Sequence, residues 1–324
     1  MRHSRLPSPK LLAASLLLVF LVSCAHQPSQ DLLRPTATQD SIQKDAPLKW
    51  KDPAWLRNFP SQARTAIAFD HLSLQEGLSQ SVVTAIAQDP RGFLWFGTQD
   101  GLNRFDGYNF RIFKHDIDEP GSLIDNLITD LVIDSNGTLW VATNGGLDRY
   151  DHRTEKFEHF LHAPDDPNTL STTPITSLAA SPDGYLWVGT VLGLNRIDTT
   201  TNEILRYQND PDIADSLIGN AIADIAVEPD GSVWVATGAG LDLLDPINES
   251  FSHYIPDPSD PDSMLGLGVN ALELGRGGTL WVATPAGLNR LDKSAGDFKH
   301  YINDPDDPES LAPNAINAIF EDSE

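Results

Sequence analysis

The feature that most constrains the fold is a short phrase around tryptophan that returns at nearly constant spacing. Its second copy reads Leu139-Trp140-Val141-Ala142-Thr143 and is followed by Gly146-Leu147. The steps between the tryptophans of successive copies are 45, 47, 47 and 47 residues. These tryptophans are Trp95, Trp140, Trp187, Trp234 and Trp281. A period of about 40–50 residues with several short β segments is typical of the blades of a β-propeller.

Each repeat divides into four β segments by residue alternation and turn chemistry. The first, inner strand begins with Val83-Thr84-Ala85-Ile86-Ala87, and the tryptophan phrase forms the second strand. Later copies of the inner strand begin at Ile128, Ile175, Ile222, Val269 and Ile316. We interpret the five tryptophans as packing between blades, because a large ring recurs at one fixed place. The predicted fold is all-β: a propeller of four-stranded blades with five complete repeats and the first strand of a sixth.

The repeats resemble the two-component regulator propeller family, whose pattern is roughly Asp-x-x-Gly-x-Leu-Trp-Ile/Val-Gly-Thr-x-x-Gly-Leu-x-x-Tyr/Phe-Asp. The resemblance covers residues 65–324. Departures are Ala142, Ala236 and Ala283 in place of the Gly before Thr, and Glu228 and Gly275 in place of the turn Asp. The resemblance implies seven-bladed propellers, often two in tandem, that serve as extracytoplasmic sensor regions of membrane histidine kinases or diguanylate cyclases.

The length of the chain does not match a finished ring of this kind. After Trp281 the next tryptophan is due near position 328, and the sequence ends at Glu324. Five blades and one strand leave unpaired strand edges and an uncovered apolar face. We therefore expect a fragment, either a truncated product or the front of a longer protein. A smaller ring of five or six blades is the alternative.

The N-terminus has the features of an export signal. Arg2, Arg5 and Lys10 precede an apolar run, residues 11–22, whose only polar member is Ser15. Twelve residues of helix are too short to cross a bilayer core of about 30 Å. The run ends in Leu-Val-Ser before Cys24, the only cysteine, which resembles a bacterial lipobox. We expect a lipoprotein signal peptide (1–23), lipidation of Cys24, a tether (24–64) and the repeats (65–324); an ordinary signal peptide or an uncleaved anchor is the alternative.

Acidic residues dominate the charge and gather in one kind of loop. The chain has 46 Asp+Glu against 22 Lys+Arg, a net charge of -24, which excludes nucleic acid as a partner because phosphates would be repelled. The loops from a fourth strand to the next inner strand, here called the acidic loops, hold 15 acids and no Lys or Arg; they span residues 115–122, 162–169, 209–216, 256–263 and 303–310. Their candidate ligand-facing residues are Asp116, Asp118, Asp165, Asp166, Asp210, Asp212, Asp257, Asp260, Asp304 and Asp306.

Two interpretations of the acidic loops stay open. Asp-Pro runs are stiff, solvated turns, and like charges on them oppose aggregation of blades. Alternatively, the loops form a negative funnel that attracts cations, Ca²⁺, or an amine-bearing or neutral sugar. The loops lack the ligand spacing of an EF-hand, so we predict no cofactor and no metal site, with Ca²⁺ left as an alternative ligand.

Two further sets of residues are in phase with the repeat. Asp130 and Asp224 occupy the same inner-strand position, where a carboxylate is either hydrogen-bonded within the structure or in contact with a ligand in the central channel. His159, His253 and His300 fall on the outermost strand. Ring geometry would hold these histidines too far apart to share a metal, so we predict that they are surface residues.

The sequence is compatible with three candidate functions. The first is a sensor propeller that binds a small molecule or glycan and forms the input of a signalling protein, with a homodimer expected if a kinase or cyclase follows. The second is a lipid-anchored scaffold for proteins or glycans at the cell envelope. The third is an enzyme like the streptogramin lyases, whose propellers have similar repeats. No catalytic site is predicted, because His115 and His162 lie beside the acids without a partnering base or nucleophile. In each case the protein is exported and faces the periplasm or the exterior.

Overall fold

A computed structural model of the chain describes residues 71–311 and 314–321. The predicted signal peptide, Cys24, the tether and the first residues of the repeat region lie outside the described residues. Among the residues that are described, no helix has the length and apolar character needed to cross a membrane.

The described residues form twenty strands in five antiparallel sheets of four, and the strands of each sheet are neighbours in chain order. The strands are β1 (Val83–Gln88), β2 (Leu94–Thr98), β3 (Gly101–Phe105) and β4 (Phe110–Phe113) in the first sheet; β5 (Ile128–Ile133), β6 (Leu139–Thr143), β7 (Leu147–Asp151) and β8 (Lys156–Phe160) in the second; β9 (Ile175–Ala180), β10 (Tyr185–Thr190), β11 (Gly193–Asp198) and β12 (Ile204–Tyr207) in the third; β13 (Ile222–Val227), β14 (Val233–Thr237), β15 (Gly240–Asp245) and β16 (Ser250–Tyr254) in the fourth; and β17 (Ala271–Leu274), β18 (Leu280–Thr284), β19 (Gly287–Asp292) and β20 (Asp297–Tyr301) in the fifth. A short 3-10 turn covers Arg276–Gly278. The predicted all-β fold with four-stranded blades is confirmed.

Tight turns between the first two strands set the register within a sheet. In the second sheet, the Gly137 amide donates to the Asp134 carbonyl over 2.9 Å. Gly137 has φ 79, a left-handed conformation that favours glycine. One carboxylate oxygen of Asp134 also accepts the amides of Asn136 and Thr138. The Asp-x-x-Gly turn is therefore held by both its backbone and its acidic side chain.

The core lies between neighbouring sheets. Trp95 on β2 packs against Leu131, Val141 and Tyr150 of the second sheet, and three further clusters repeat this arrangement along the chain. Trp95, Trp140, Trp187 and Trp234 are at most 2% exposed. Burying a ring of this size contributes about 4–6 kcal/mol of transfer free energy at the usual area coefficient. The tryptophans thus join each sheet to the next.

The sixth copy differs from the expected strand. Residues 314–321 contain no strand, although the Ile316 amide donates to the Thr284 carbonyl over 3.3 Å and the Asn270 side chain donates to the Ile316 carbonyl over 2.9 Å. The described residues supply no second strand with which Ile316 and its neighbours could pair. The segment therefore follows the fifth sheet without extending it.

Candidate functional site

All five acidic loops have the same internal hydrogen bonds. In the first, the Ser122 hydroxyl accepts the Asp116 amide over 2.9 Å and donates to the Asp116 carbonyl over 3.0 Å. The same pair of bonds is made by Thr169, Ser216, Ser263 and Ser310 in the other four loops. Each loop is therefore a closed turn of fixed shape, and the loops repeat with the blades.

The ten candidate aspartates of these loops are all exposed, but they fall into two groups. In six of them the carboxylate accepts the amide two residues further on, which caps the turn; these are Asp116, Asp166, Asp210, Asp257, Asp260 and Asp304. The other four, here called the open carboxylates, are Asp118, Asp165, Asp212 and Asp306. Within the described part of the chain the open carboxylates form no hydrogen bond or ion pair, so they are the ones among the ten candidates that are available to a ligand.

Two histidines that could have suggested catalysis instead support the loops. Nδ1 of His115 lies 2.7 Å from the Leu123 carbonyl, and Nδ1 of His162 lies 2.7 Å from the Leu170 carbonyl. Each ring thus bonds to the backbone at the far end of its own loop. No group of three or more His, Cys, Asp or Glu side chains that could hold a metal occurs among the residues described.

Asp130 and Asp224 lie on the inner strands and join sheets. One oxygen of Asp130 accepts the Leu131 amide and the other accepts the Leu178 amide of the third sheet, both over 2.7 Å. Asp224 accepts the Ile225 amide and, over 2.8 Å, the Leu272 amide of the fifth sheet. Burial raises the pKa of Asp130 to about 7, against the lowering effect of the two amides. Both carboxylates therefore have structural partners, and contact with a channel ligand is not needed to explain them.

Sequence reasoning missed two pairs of an aspartate and a histidine. Asp148 on β7 is fully buried, and its Oδ1 lies 2.5 Å from Nδ1 of His159 on β8. Asp242 on β15 is also fully buried and lies 2.5 Å from Nδ1 of His253 on β16. About a quarter of each histidine side chain is exposed, 24% and 26%. The available signal was the common separation of 11 residues between aspartate and histidine in both repeats.

The environment of these pairs shifts their titration. Burial raises the pKa of Asp148 to about 6, and the hydrogen bonds from Ile124 and His159 only partly oppose this. Burial alone would lower the pKa of His159, but the bonds to Asp148 and to the Pro120 carbonyl outweigh it, so the pKa is raised. Burial likewise raises the pKa of Asp242, and the bond to Asp242 helps to raise that of His253. Each pair therefore retains a proton more strongly than its members would in water.

The repeats match a known family and proteins of known description. The family described as two component regulator propeller matches residues 77–100, 122–145 and 169–191. A 48-residue stretch is 50% identical to part of histidine kinase P4 of Formosa agariphila. The stretch makes up 15% of this chain and 4% of the kinase. The chain thus corresponds to a small part of that relative.

Solved propeller structures share the fold. The extracellular domain of BT4673 from B. thetaiotaomicron, described as a hybrid two component system, has a TM-score of 0.55 and 23% identity over 68% of this chain and 30% of that one. PorZ of Porphyromonas gingivalis, described as a surface component of the type-IX secretion system, has a TM-score of 0.53 and 19% identity. The match covers 72% of this chain and 35% of PorZ. Virginiamycin B lyase of Staphylococcus aureus has a TM-score of 0.52 and 14% identity. The match covers 69% of this chain and 71% of the lyase. The two component regulator propeller model thus matches three of the five repeats, and the solved structures share the propeller fold.

Proposed function

We propose that the chain is the extracytoplasmic, ligand-sensing region of a two-component signalling protein whose output module is a histidine kinase or a diguanylate cyclase. The observation that carries this proposal is the 48-residue stretch with 50% identity to a histidine kinase, because it falls on a chain built of regulator propeller repeats. A homodimer is part of the proposal if such a module follows. Sequencing the gene beyond codon 324 tests the output: a membrane span followed by a kinase or cyclase is expected, and an immediate stop would contradict it.

The ligand would bind at the acidic loops. The open carboxylates Asp118, Asp165, Asp212 and Asp306 project from turns that keep their shape without them, and no Lys or Arg lies in these loops to neutralise them. Such a surface favours a small cation, an amine-bearing sugar or a neutral glycan over any polyanion. The ligand class thus follows from charge.

A thermal-shift experiment on the full chain tests this assignment with three probes: Ca²⁺, spermidine and glucosamine. A ligand that binds only the folded state at 100 times its Kd stabilises by about 2.7 kcal/mol, which raises the Tm. We expect at least one probe to raise the Tm of the wild type, and the double variant Asp212→Asn/Asp306→Asn to lose that rise. The control Glu203→Gln/Asp297→Asn removes the same amount of charge immediately before β12 and at the start of β20, whereas Asp212 and Asp306 lie in the loops after these strands. This control variant should keep the rise in Tm. A rise that survives Asp212→Asn/Asp306→Asn would place the ligand elsewhere.

Export and anchoring complete the proposal. Cys24 would carry the lipid that holds the protein at the membrane, facing the periplasm or the exterior. Expression of the full chain in a bacterium fed labelled palmitate should give a labelled, membrane-associated product, and Cys24→Ser should give an unlabelled one. Equal membrane association of both would contradict lipid anchoring.

A scaffold is the second candidate, and the likeness in fold to PorZ, a surface component of a secretion system, favours it. In that case the propeller would hold proteins or glycans at the cell envelope without passing a signal inward. A pull-down with the lipidated chain separates the two functions: a scaffold retains a stable partner protein, whereas a sensor responds to a small molecule.

A further inference from the structure

We propose that the Asp148–His159 and Asp242–His253 pairs, here called latches, hold two of the five acidic loops in place through hydrogen bonds that require a bound proton. The latches release the loops as the pH rises and the proton is lost. Each pair contacts its loop at one point and the segment just after the loop at a second. Nε2 of His159 lies 2.9 Å from the Pro120 carbonyl, and Asp148 accepts the Ile124 amide over 2.9 Å. The second pair repeats both contacts, with 3.0 Å from His253 to the Ala214 carbonyl and 2.9 Å from the Ile218 amide to Asp242.

Counting protons shows why the latch depends on pH. Both ring nitrogens of His159 face an acceptor, the Asp148 carboxylate on one side and the Pro120 carbonyl on the other. A neutral imidazole has one N–H and can donate to only one of them. Both bonds form only if the ring is doubly protonated or if Asp148 carries the second proton. When the pair releases that proton to solvent, two acceptors face each other and one bond must break.

The surrounding charges favour the protonated pair. Glu158, next to His159 on β8, is one of the groups that raise the pKa of His159, and Asp215 acts in the same way on His253. Among the cations nearby, Arg149 on β7 pairs with Glu158, and Lys156 on β8 pairs with Glu119 of the loop. His115 of the same loop acts to lower the pKa of Asp148. Glu158 and Asp215 therefore each help the histidine of their pair to hold its proton.

The other sheets use the same position without a latch. In the third sheet, Asn195 pairs in register with Arg206, whose guanidinium donates to the Thr169 carbonyl over 2.6 Å and to the Leu170 carbonyl over 2.9 Å. Arginine stays charged at every accessible pH, so this anchor does not titrate. In the fifth sheet, His300 lies opposite Asn289, and its ring makes one hydrogen bond within the described residues, to the Ser263 carbonyl over 2.8 Å, for which a neutral ring suffices. These two loops are internal controls.

Backbone amides beside the latches report their state. The Phe157 amide donates to the Gly121 carbonyl, next to Pro120, over 2.9 Å, and the Phe251 amide donates to the Asp215 carbonyl, next to Ala214, over 2.9 Å. The Phe298 amide makes the equivalent bond to the Asp262 carbonyl over 2.8 Å in the fifth sheet. Loss of a latch should open the first two bonds more often and leave the third unchanged.

Hydrogen exchange of the full chain, measured by NMR from pH 5.5 to pH 8.5, tests the latch. After correction for the intrinsic pH dependence of exchange, the rates at Phe157 and Phe251 should rise by about tenfold, the equivalent of one pKa unit of linkage, while the rate at Phe298 stays constant. The ring titration of His159 and His253, followed in the same samples, should show a pKa above the usual value. Flat exchange at Phe157 and Phe251, or ordinary titration of both rings, would overturn the proposal.

A variant that copies the third sheet into the second provides the matched control. Asp148→Asn/His159→Arg should keep the loop fastened at every pH, so that exchange at Phe157 becomes independent of pH while exchange at Phe251 still rises. Persistence of the pH dependence at Phe157 would contradict the latch. If this variant fails to fold, the wild-type ring titration and exchange decide. The experiment requires no ligand, so its outcome is separate from that of the proposed sensor function.

Discussion

Three of the five tryptophans make a hydrogen bond that Trp187 lacks. The indole Nε1 of Trp95, Trp140 and Trp234 donates to the acid that begins the preceding turn, at 3.1, 2.9 and 2.7 Å. The third sheet has Ser181 at this position, and Nε1 of Trp187 is buried without a partner among the described residues. A buried donor that is left unpaired costs about 1–3 kcal/mol. The third sheet thus lacks a bond that the first, second and fourth sheets make.

We expect Ser181→Asp to raise the free energy of unfolding by about 1–3 kcal/mol, because the new carboxylate can accept from Trp187 as Asp134 accepts from Trp140. Urea unfolding followed by tryptophan fluorescence measures the change. The reverse substitution, Asp134→Ser, should lower the free energy of unfolding by a similar amount. A Ser181→Asp protein less stable than the wild type would show that the turn, and not the missing bond, decides stability at this position.

Glycine is required on β2 for lack of space. A Cβ on Gly97 would lie 2.6 Å from Cγ2 of Ile128 on the neighbouring sheet, closer than real Cβ atoms come. We expect Gly97→Ala to lower the free energy of unfolding by about 1–3 kcal/mol through overpacking. Gly238→Ala is the control, because a Cβ there would meet nothing within 4 Å. Equal stabilities of the two variants, measured by urea unfolding, would contradict the packing argument.

Inner strands are held together by carboxylates at a recurrent irregularity. The pairing of β5 with β6 shifts register between Ile128 and Asp130, and that of β13 with β14 shifts between Ile222 and Asp224. The carboxylate at each shift accepts its own next amide and one from the following sheet. The second and fourth sheets thus each have an aspartate that hydrogen-bonds to its own sheet and to the next one. The third and fifth sheets have Ser177 and Ala271 at this position.

The stability contributed by Asp130 should depend on pH. Its pKa in the folded protein is raised to about 7 from 3.8, so the folded state holds a proton that the unfolded state releases, and stability is lost as the pH rises between these values. We expect Asp130→Ser to be less stable than the wild type by about 1–3 kcal/mol at pH 5, with a smaller difference at pH 8. Urea unfolding at both values measures this, and Asp297→Asn, at an exposed acid, is the control. A difference that grows with pH would reverse the assigned sign.

The strands could be predicted from the sequence because the tryptophan phrase repeats with its turn and its glycine in fixed order. Not every boundary was predicted: the inner strand of the fifth repeat begins at Ala271, two residues after the expected Val269. The separation of 11 residues was a signal for the Asp148–His159 pair, but only the register of β7 against β8 shows that these residues lie opposite each other. Periodicity reveals which residues recur, whereas the partner across a strand requires the pairing itself.

At the scale of the whole molecule, the excess acidic side chains repel one another. The net charge of -24 arises mostly from exposed acids, including 15 in the acidic loops, and only a minority of the described acids lie in ion pairs. Like charges at this density oppose the compact state. Salt shortens the range of the repulsion, since the Debye length falls from about 10 Å at 0.1 M to about 3 Å at 1 M.

We therefore expect the Tm of the full chain to rise when NaCl is increased from 20 mM to 500 mM at pH 7, by about 2–4 °C for each kcal/mol of repulsion removed. Screening depends on ionic strength and not on the identity of the cation, so KCl and choline chloride at equal concentration should give the same rise in a thermal scan. A rise with Na⁺ that choline does not reproduce would indicate a bound cation at the acidic loops in place of screening. A Tm that falls with salt would mean that the ion pairs between sheets, such as Arg104 with Glu155, stabilise the fold more than the excess acids destabilise it.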